Sequence, residues 1–130
     1  MTILQPTWEL MPVGEGWDIE PDAIVWVSVA KIDSSFAAGD QWVGPAGSGC
    51  GQQSRYESIG RHFLSGYPMY MPYISLDDAD QVRFTDGRHR FAWVRDHGAT
   101  ALPVATGSDQ ADRLQKLFGS EEEICRVEAP

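Results

Sequence analysis

The stretch from Gln81 to Thr106, QVRFTDGRHRFAWVRDHGATALPVAT, decides the reading of this chain. Val82 and Phe84 alternate with Arg83 and Thr85, the period of a half-buried strand. Asp86-Gly87 breaks that alternation. Phe91, Val94 and the flank of Trp93 then recur at helical spacing, with His97 in the last turn and Gly98 placed for a left-handed C-terminal cap. Leu102-Pro103-Val104 resumes as a short strand. The order is strand, tight loop, helix, turn, strand, with Arg88, His89 and Arg90 at the mouth of the helix. The first N–H groups of a helix have no internal partners, and the dipole adds partial positive charge there. Arginines crowded at that end are unfavourable unless something anionic joins them. Asp86 as N-cap offsets part of the charge. The pattern therefore predicts a phosphate or carboxylate pocket; the competing interpretation is a plain Asp-Gly hairpin turn with solvated arginines.

Asp86-Gly87-Arg88-His89-Arg90, with Phe91-Ala92, His97-Gly98 and Leu102-Pro103-Val104, resembles the signature of the ParB/sulfiredoxin superfamily. The fuller string from Phe84 to Val104 is most similar to the plasmid fertility-inhibition factors, small bacterial proteins that block conjugative transfer of a competing plasmid. Upstream, Val25 to Ile32 resembles the family's first strand with its lysine, Lys31, and Ser54-Arg55-Tyr56-Glu57 opens the helix that follows. Sulfiredoxins carry Gly-Gly-Cys-His-Arg in the loop. Arg88 stands where their catalytic cysteine would be, which excludes that chemistry. Partitioning ParB proteins carry Gly-Glu-Arg-Arg and bind CTP; Asp86 and His89 depart from that pattern, so a base preference does not carry over. Other ParB-like proteins carry Asp-Gly-His-His-Arg, and some phosphorylate free serine. Phosphate binding by Gly87, His89 and Arg90 survives every comparison.

The resemblance implies an α+β fold, one small mixed sheet with flanking helices, and binding of ATP or another nucleoside triphosphate. Gly87 and nearby amides would cradle phosphate, Arg88 and Arg90 would neutralise it, and His89 would donate to it or shuttle a proton. Asp86 would either cap the helix or coordinate a bridging Mg²⁺. Lys31 and Arg55 are further phosphate-ligand candidates, and solvation at a strand end is the plainer role for Lys31. Glu57 stands three residues after Ser54, as in a capping box, and is also a general-base candidate. NTPase or DNase activity and interference with a type IV secretion apparatus in the bacterial cytoplasm follow from the resemblance. A non-catalytic acidic interaction module on the same fold is the alternative, and a small-molecule kinase a third reading.

Composition sets the bounds. A chain of 130 residues, 42% hydrophobic, holds one ordinary core. No apolar run approaches bilayer length, and no basic-then-hydrophobic leader opens the chain, so membrane insertion is not expected. Cys50 and Cys125 form no disulfide or metal-ligand pattern, which points to a reducing compartment. The formal net charge is −9, yet Arg55, Arg61, Arg83, Arg88, Arg90 and Arg95 concentrate in the middle of the chain. An acidic chain is repelled by duplex DNA at range, whereas a compact basic pocket suits a nucleotide, and the acidic surface suits a basic protein partner.

Residues 1–22 combine Pro6, Pro12, Gly14, Gly16 and Pro21 with Trp8 and Trp17, predicting an extended arm laid on the core. The core is expected over residues 23–106, and a helix with an acidic tail over 107–130. Within the core, Ala23 to Ile32 reads as a central strand. Asp33 to Gln53 reads as loop; its run Gly44 to Gly51 lacks the Lys-Ser/Thr ending of a P-loop and reads as a flexible surface loop or lid, in which Cys50 has no evident base. Ser54 to Ser65 reads as a helix, Tyr67 to Leu76 as an edge strand between prolines, and Asp109 to Phe118 as a helix stopped by Gly119. A last short strand is expected over Ile124 to Val127.

Overall fold

The computed structural model describes residues 2–11 and 22–129. Trp17 and the Pro/Gly-rich part of the expected arm lie outside the described residues. Along the chain run β1 (Thr2–Leu4), β2 (Trp8–Glu9), β3 (Ala23–Ser28), α1 (Val29–Ala37), a 3₁₀ turn (Pro45–Gly47), α2 (Gln53–Leu64), β4 (Met69–Tyr70) and β5 (Tyr73–Leu76). Then follow β6 (Val82–Asp86), α3 (Arg88–Asp96), β7 (Ala101–Thr106), α4 (Ala111–Phe118) and β8 (Val127–Ala129). The fold is α+β. Its main sheet has the order β3-β7-β5-β6, and two small pairs, β1-β8 and β2-β4, stand beside it.

Strand β3 pairs antiparallel with β7 over six residues, from Ala23↔Thr106 to Ser28↔Ala101. It lies at the edge of the sheet, contrary to the expected central position, and β7 is inside. The residues after α4 cover that edge: Val27 bridges Gly119, and Ser120 N–H donates to Trp26 O at 2.9 Å. The expected strand to Ile32 stops at Ser28, because the Ser28 hydroxyl accepts from Lys31 N–H at 3.3 Å and caps α1. Val29, Ile32 and Phe36 then share one buried helical face. Residues 29–37 are thus strand and loop by pattern but helix in the structure, since β-branching is a weaker constraint than a cap with an apolar stripe.

Strand β5 is interior, not an edge. Pro68 and Pro72 fall just outside β4 and β5, so they do not restrict them, and Pro72 O accepts from Ala105 N–H at 2.9 Å. The far edge, β6, is plugged by side chains. Gln41 donates to Phe84 O and accepts from Phe84 N–H, at 2.9 and 2.8 Å, and Ser35 Oγ accepts from Val82 N–H at 2.9 Å. A strand edge answered in this way offers no template for another chain.

Two aromatic groups join the layers. Phe36 of α1, Phe84 of β6 and Phe91 of α3 meet with centroids 4.8 to 5.6 Å apart. Trp93 stacks on Phe63 at 4.8 Å and on His97 at 3.9 Å, and Phe63 meets Trp8 edge-on at 5.6 Å. Trp8 is therefore packed against the core. The last strand is Val127–Ala129, shifted from the expected Ile124 to Val127 because its register is set by β1.

Candidate anion-binding cleft

The chain leaves β6 at Asp86 and enters α3 through Gly87, whose φ is +87°. A side chain there would be strained, and its Cβ would lie 2.7 Å from Pro72 Cα. Gly87, not Asp86, is the helix N-cap, and no side chain caps this end. The Asp86 carboxylate instead pairs with Arg90 at 2.8 Å, one turn along. This corrects the expected cap: a glycine in the left-handed region turns the chain so that Asp86 faces back onto the guanidinium.

From this corner the three basic residues diverge. Arg88 donates to Gln41 O at 2.9 Å and to Gln52 Oε1 at 3.1 Å, two neutral acceptors that leave its charge uncompensated. His89 turns inward and is only 4% exposed. Burial, then the charges of Arg88 and Arg55, hold its pKa below the ordinary imidazole value of 6.5. Arg90 lies along a cleft of about 450 Å³, walled by Arg55, Ser58 and His62 of α2 and by Met69 and Tyr70 of β4. A second cleft of about 200 Å³ reaches Gln41, Arg88 and Thr85. Both clefts share Arg55, Asp86, Gly87 and His89, so His89 stands between them. Among the described residues, Arg55 and Arg88 have no carboxylate partner, and Asp86 is the one carboxylate lining either cleft. Three guanidiniums and a neutral imidazole face one carboxylate. Spread over the two clefts, that donor set suits an anionic ligand.

The structure gathers Arg55, Asp86, Gly87, Arg88, His89 and Arg90. It does not bring Lys31 or Glu57 to them. Lys31 Nζ donates to Gly119 O at 3.4 Å, on the covered edge of β3. Glu57 is exposed and lines neither cleft. Its expected capping box is also absent, because α2 starts at Gln53 with Gln52 as an uncapped N-cap, leaving Ser54 inside the helix. Gln41, Ser58, His62 and Tyr70 escaped sequence reading; nothing in their local pattern separates a cleft wall from ordinary surface. No group of three or more metal-ligating side chains occurs among the described residues.

The glycine-rich run is not a loose lid. Asp96 accepts from Ala46 N–H at 3.0 Å and from Tyr56 OH at 2.7 Å, and Arg95 donates to Val43 O at 2.6 Å. That anchoring delivers Cys50 to His89, with Sγ 3.8 Å from Nε2, although no base near it was evident from the chain alone.

A search of curated proteins returned no match. Among solved structures, the chain is similar to a crystal structure of the Oncogenic Suppression Activity Protein, a plasmid fertility inhibition factor, in its gold(I) cyanide derivative. The TM-score is 0.62 at 21% identity, over 84% of this chain and 61% of that one. The likeness is one of fold, and this chain spans about three-fifths of that protein's length. A family model described as Plasmid Fertility inhibition factor matches residues 52–119, from the start of α2 through α4. That span is slightly more than half of the chain and includes the whole Asp86–Arg90 corner, and so the chain belongs to the plasmid fertility inhibition factor family.

Proposed function

We propose that this protein binds a nucleoside triphosphate in the cleft at the Asp86–Arg90 corner, and that this binding serves fertility inhibition, directed against conjugative DNA transfer through a type IV secretion apparatus in the bacterial cytoplasm. The observation that carries the reading is the pair of uncompensated guanidiniums, Arg55 and Arg88, that line one cleft with a buried neutral His89. Arg55, Arg88 and Arg90 would neutralise phosphate charge, while the first amides of α3 donate to it. His89, held neutral, donates one hydrogen bond and can accept a proton. Mg²⁺ brought in on the phosphates would have Asp86 as its one protein carboxylate, and Asp86 would have to leave Arg90 to serve it. Turnover of the nucleotide, or cleavage of DNA, would use His89 as the proton-transfer group. The net charge of −9 works against long-range capture of duplex DNA, so a nucleotide is the better ligand.

Titration calorimetry with ATP, ADP and CTP in Mg²⁺ tests the reading. Arg55→Ala and Arg88→Ala should each weaken binding by about tenfold, the worth of one charge-assisted contact. Arg61→Ala, exposed and outside both clefts, should leave affinity unchanged. Glu57→Ala should leave any hydrolysis intact. No heat from any nucleotide would sink the reading in favour of a non-catalytic acidic module that docks on a basic partner.

A further inference from the structure

Cys50 lies between Gly49 and Gly51, both with positive φ, on a loop tied to the C-terminal end of α3 through Asp96 and Arg95. The N-terminal end of the same helix carries His89. One rigid element therefore sets both the position of the thiol and that of the imidazole beside it. Cys50 Sγ is 3.4 Å from Gly47 O and 3.8 Å from His89 Nε2, and the residue is half-buried. Among the described residues Cys50 is the one hydrogen-bond partner of the ring of this 4%-exposed histidine. The clefts use His89 but not Cys50, which lines neither.

We propose that Cys50 and His89 form a thiol–imidazole pair that reacts with hydroperoxides, making Cys50 a redox-modification site behind the anion cleft. Burial first, and then the charges of Arg88 on the same helix and Arg55 on α2, leave the imidazole unprotonated at rest, with a ring lone pair open to the thiol proton. Cys50 passes its proton to His89 Nε2, and the sulfur attacks one oxygen of the peroxide. The O–O bond breaks as the S–O bond forms. Sulfur is oxidised from thiol to sulfenic acid, and the peroxide is reduced to water or an alcohol, whose oxygen takes back the proton held by His89. A small neutral oxidant suits a half-buried thiol. Because His89 belongs to both settings, the oxidation state of Cys50 is felt at the cleft wall. The inference does not depend on nucleotide binding.

Cys125 is an internal control: it is 4% exposed, and burial pushes its thiol pKa up to about 11. The full chain is treated with hydrogen peroxide, sulfenic acid is trapped with a 1,3-diketone, and the two cysteine peptides are read by mass spectrometry. Cys50 should label at least about tenfold faster than Cys125, and His89→Gln should slow Cys50 by about tenfold while Cys125 stays silent. Equal labelling of the two cysteines overturns the proposal, as does a wild-type rate at Cys50 in a His89→Gln protein whose Cys125 remains protected. If His89→Gln exposes Cys125 by unfolding, the pH profile of the unmodified protein decides. A base-assisted rate stops rising once His89 is unprotonated, which its depressed pKa places below 6.5, whereas a rate still climbing about tenfold per pH unit through roughly pH 7.5 marks an unassisted thiol and refutes the pair.

Discussion

Gly87 and His89 show how two neighbouring residues can be constrained by different physics. Gly87 is required by backbone conformation and by its approach to Pro72, so Gly87→Ala should cost about 2–3 kcal/mol, read as a lower urea midpoint, and should also remove nucleotide heat. His89 is constrained by charge. Its pKa is depressed in the folded state, so the unfolded chain binds the proton more readily. No penalty exists well above pH 6.5; it grows as pH falls through 6.5 towards the folded value. Thermal melts of the wild type should therefore lose stability below that point more steeply than those of His89→Gln, and parallel curves would contradict the assignment. The basic cluster was legible in the chain itself because its members are adjacent. Arg90's pairing with Asp86 at i,i+4 was within reach of the same reading, but the cap assigned to Asp86 hid it.

Helix α3 is the element on which the others converge, with Phe91, Ala92, Trp93 and Val94 buried in succession. Gly60 of α2 makes room for it, since a Cβ there would run into the Trp93 indole Nε1. Helix propensity alone predicts that Gly60→Ala gains about 1 kcal/mol. Overpacking predicts a loss of about 1–3 kcal/mol, and the close α2–α3 contact makes loss the expected sign in chemical denaturation. The strand–loop–helix–strand unit of β6, α3 and β7 was readable because each piece has a local period or a glycine stop. Helix α1 was not. Its residues Val29 and Ile32 continue the apolar run of β3, and only the Ser28 cap marks the change.

At the scale of the whole molecule, the excess negative charge and the basic corner coexist. Surface pairs such as Arg83–Asp40 at 2.7 Å contribute little against the net charge of −9. Raising sodium chloride from roughly 10 to roughly 300 mM should screen the repulsion of that net charge and raise Tm by roughly 2–5 °C. A fall in Tm would mean that the ion pairs outweigh the net charge. The described chain ends join through β1 and β8, with Leu4 opposite Val127, and Trp8 closes over Phe63.

Local pattern was enough to place a strand, a glycine turn and a helix around the basic cluster, because alternation, capping glycines and clustered charge act over a few residues. The tertiary structure alone decided that β3 is an edge and β5 interior, that Glu57 and Lys31 stand away from the cleft, and that Cys50 rests against His89. Each of those outcomes depends on which distant segments pack together. Cys50 and His89 are 39 residues apart, and no local pattern records a meeting arranged by the two ends of one helix.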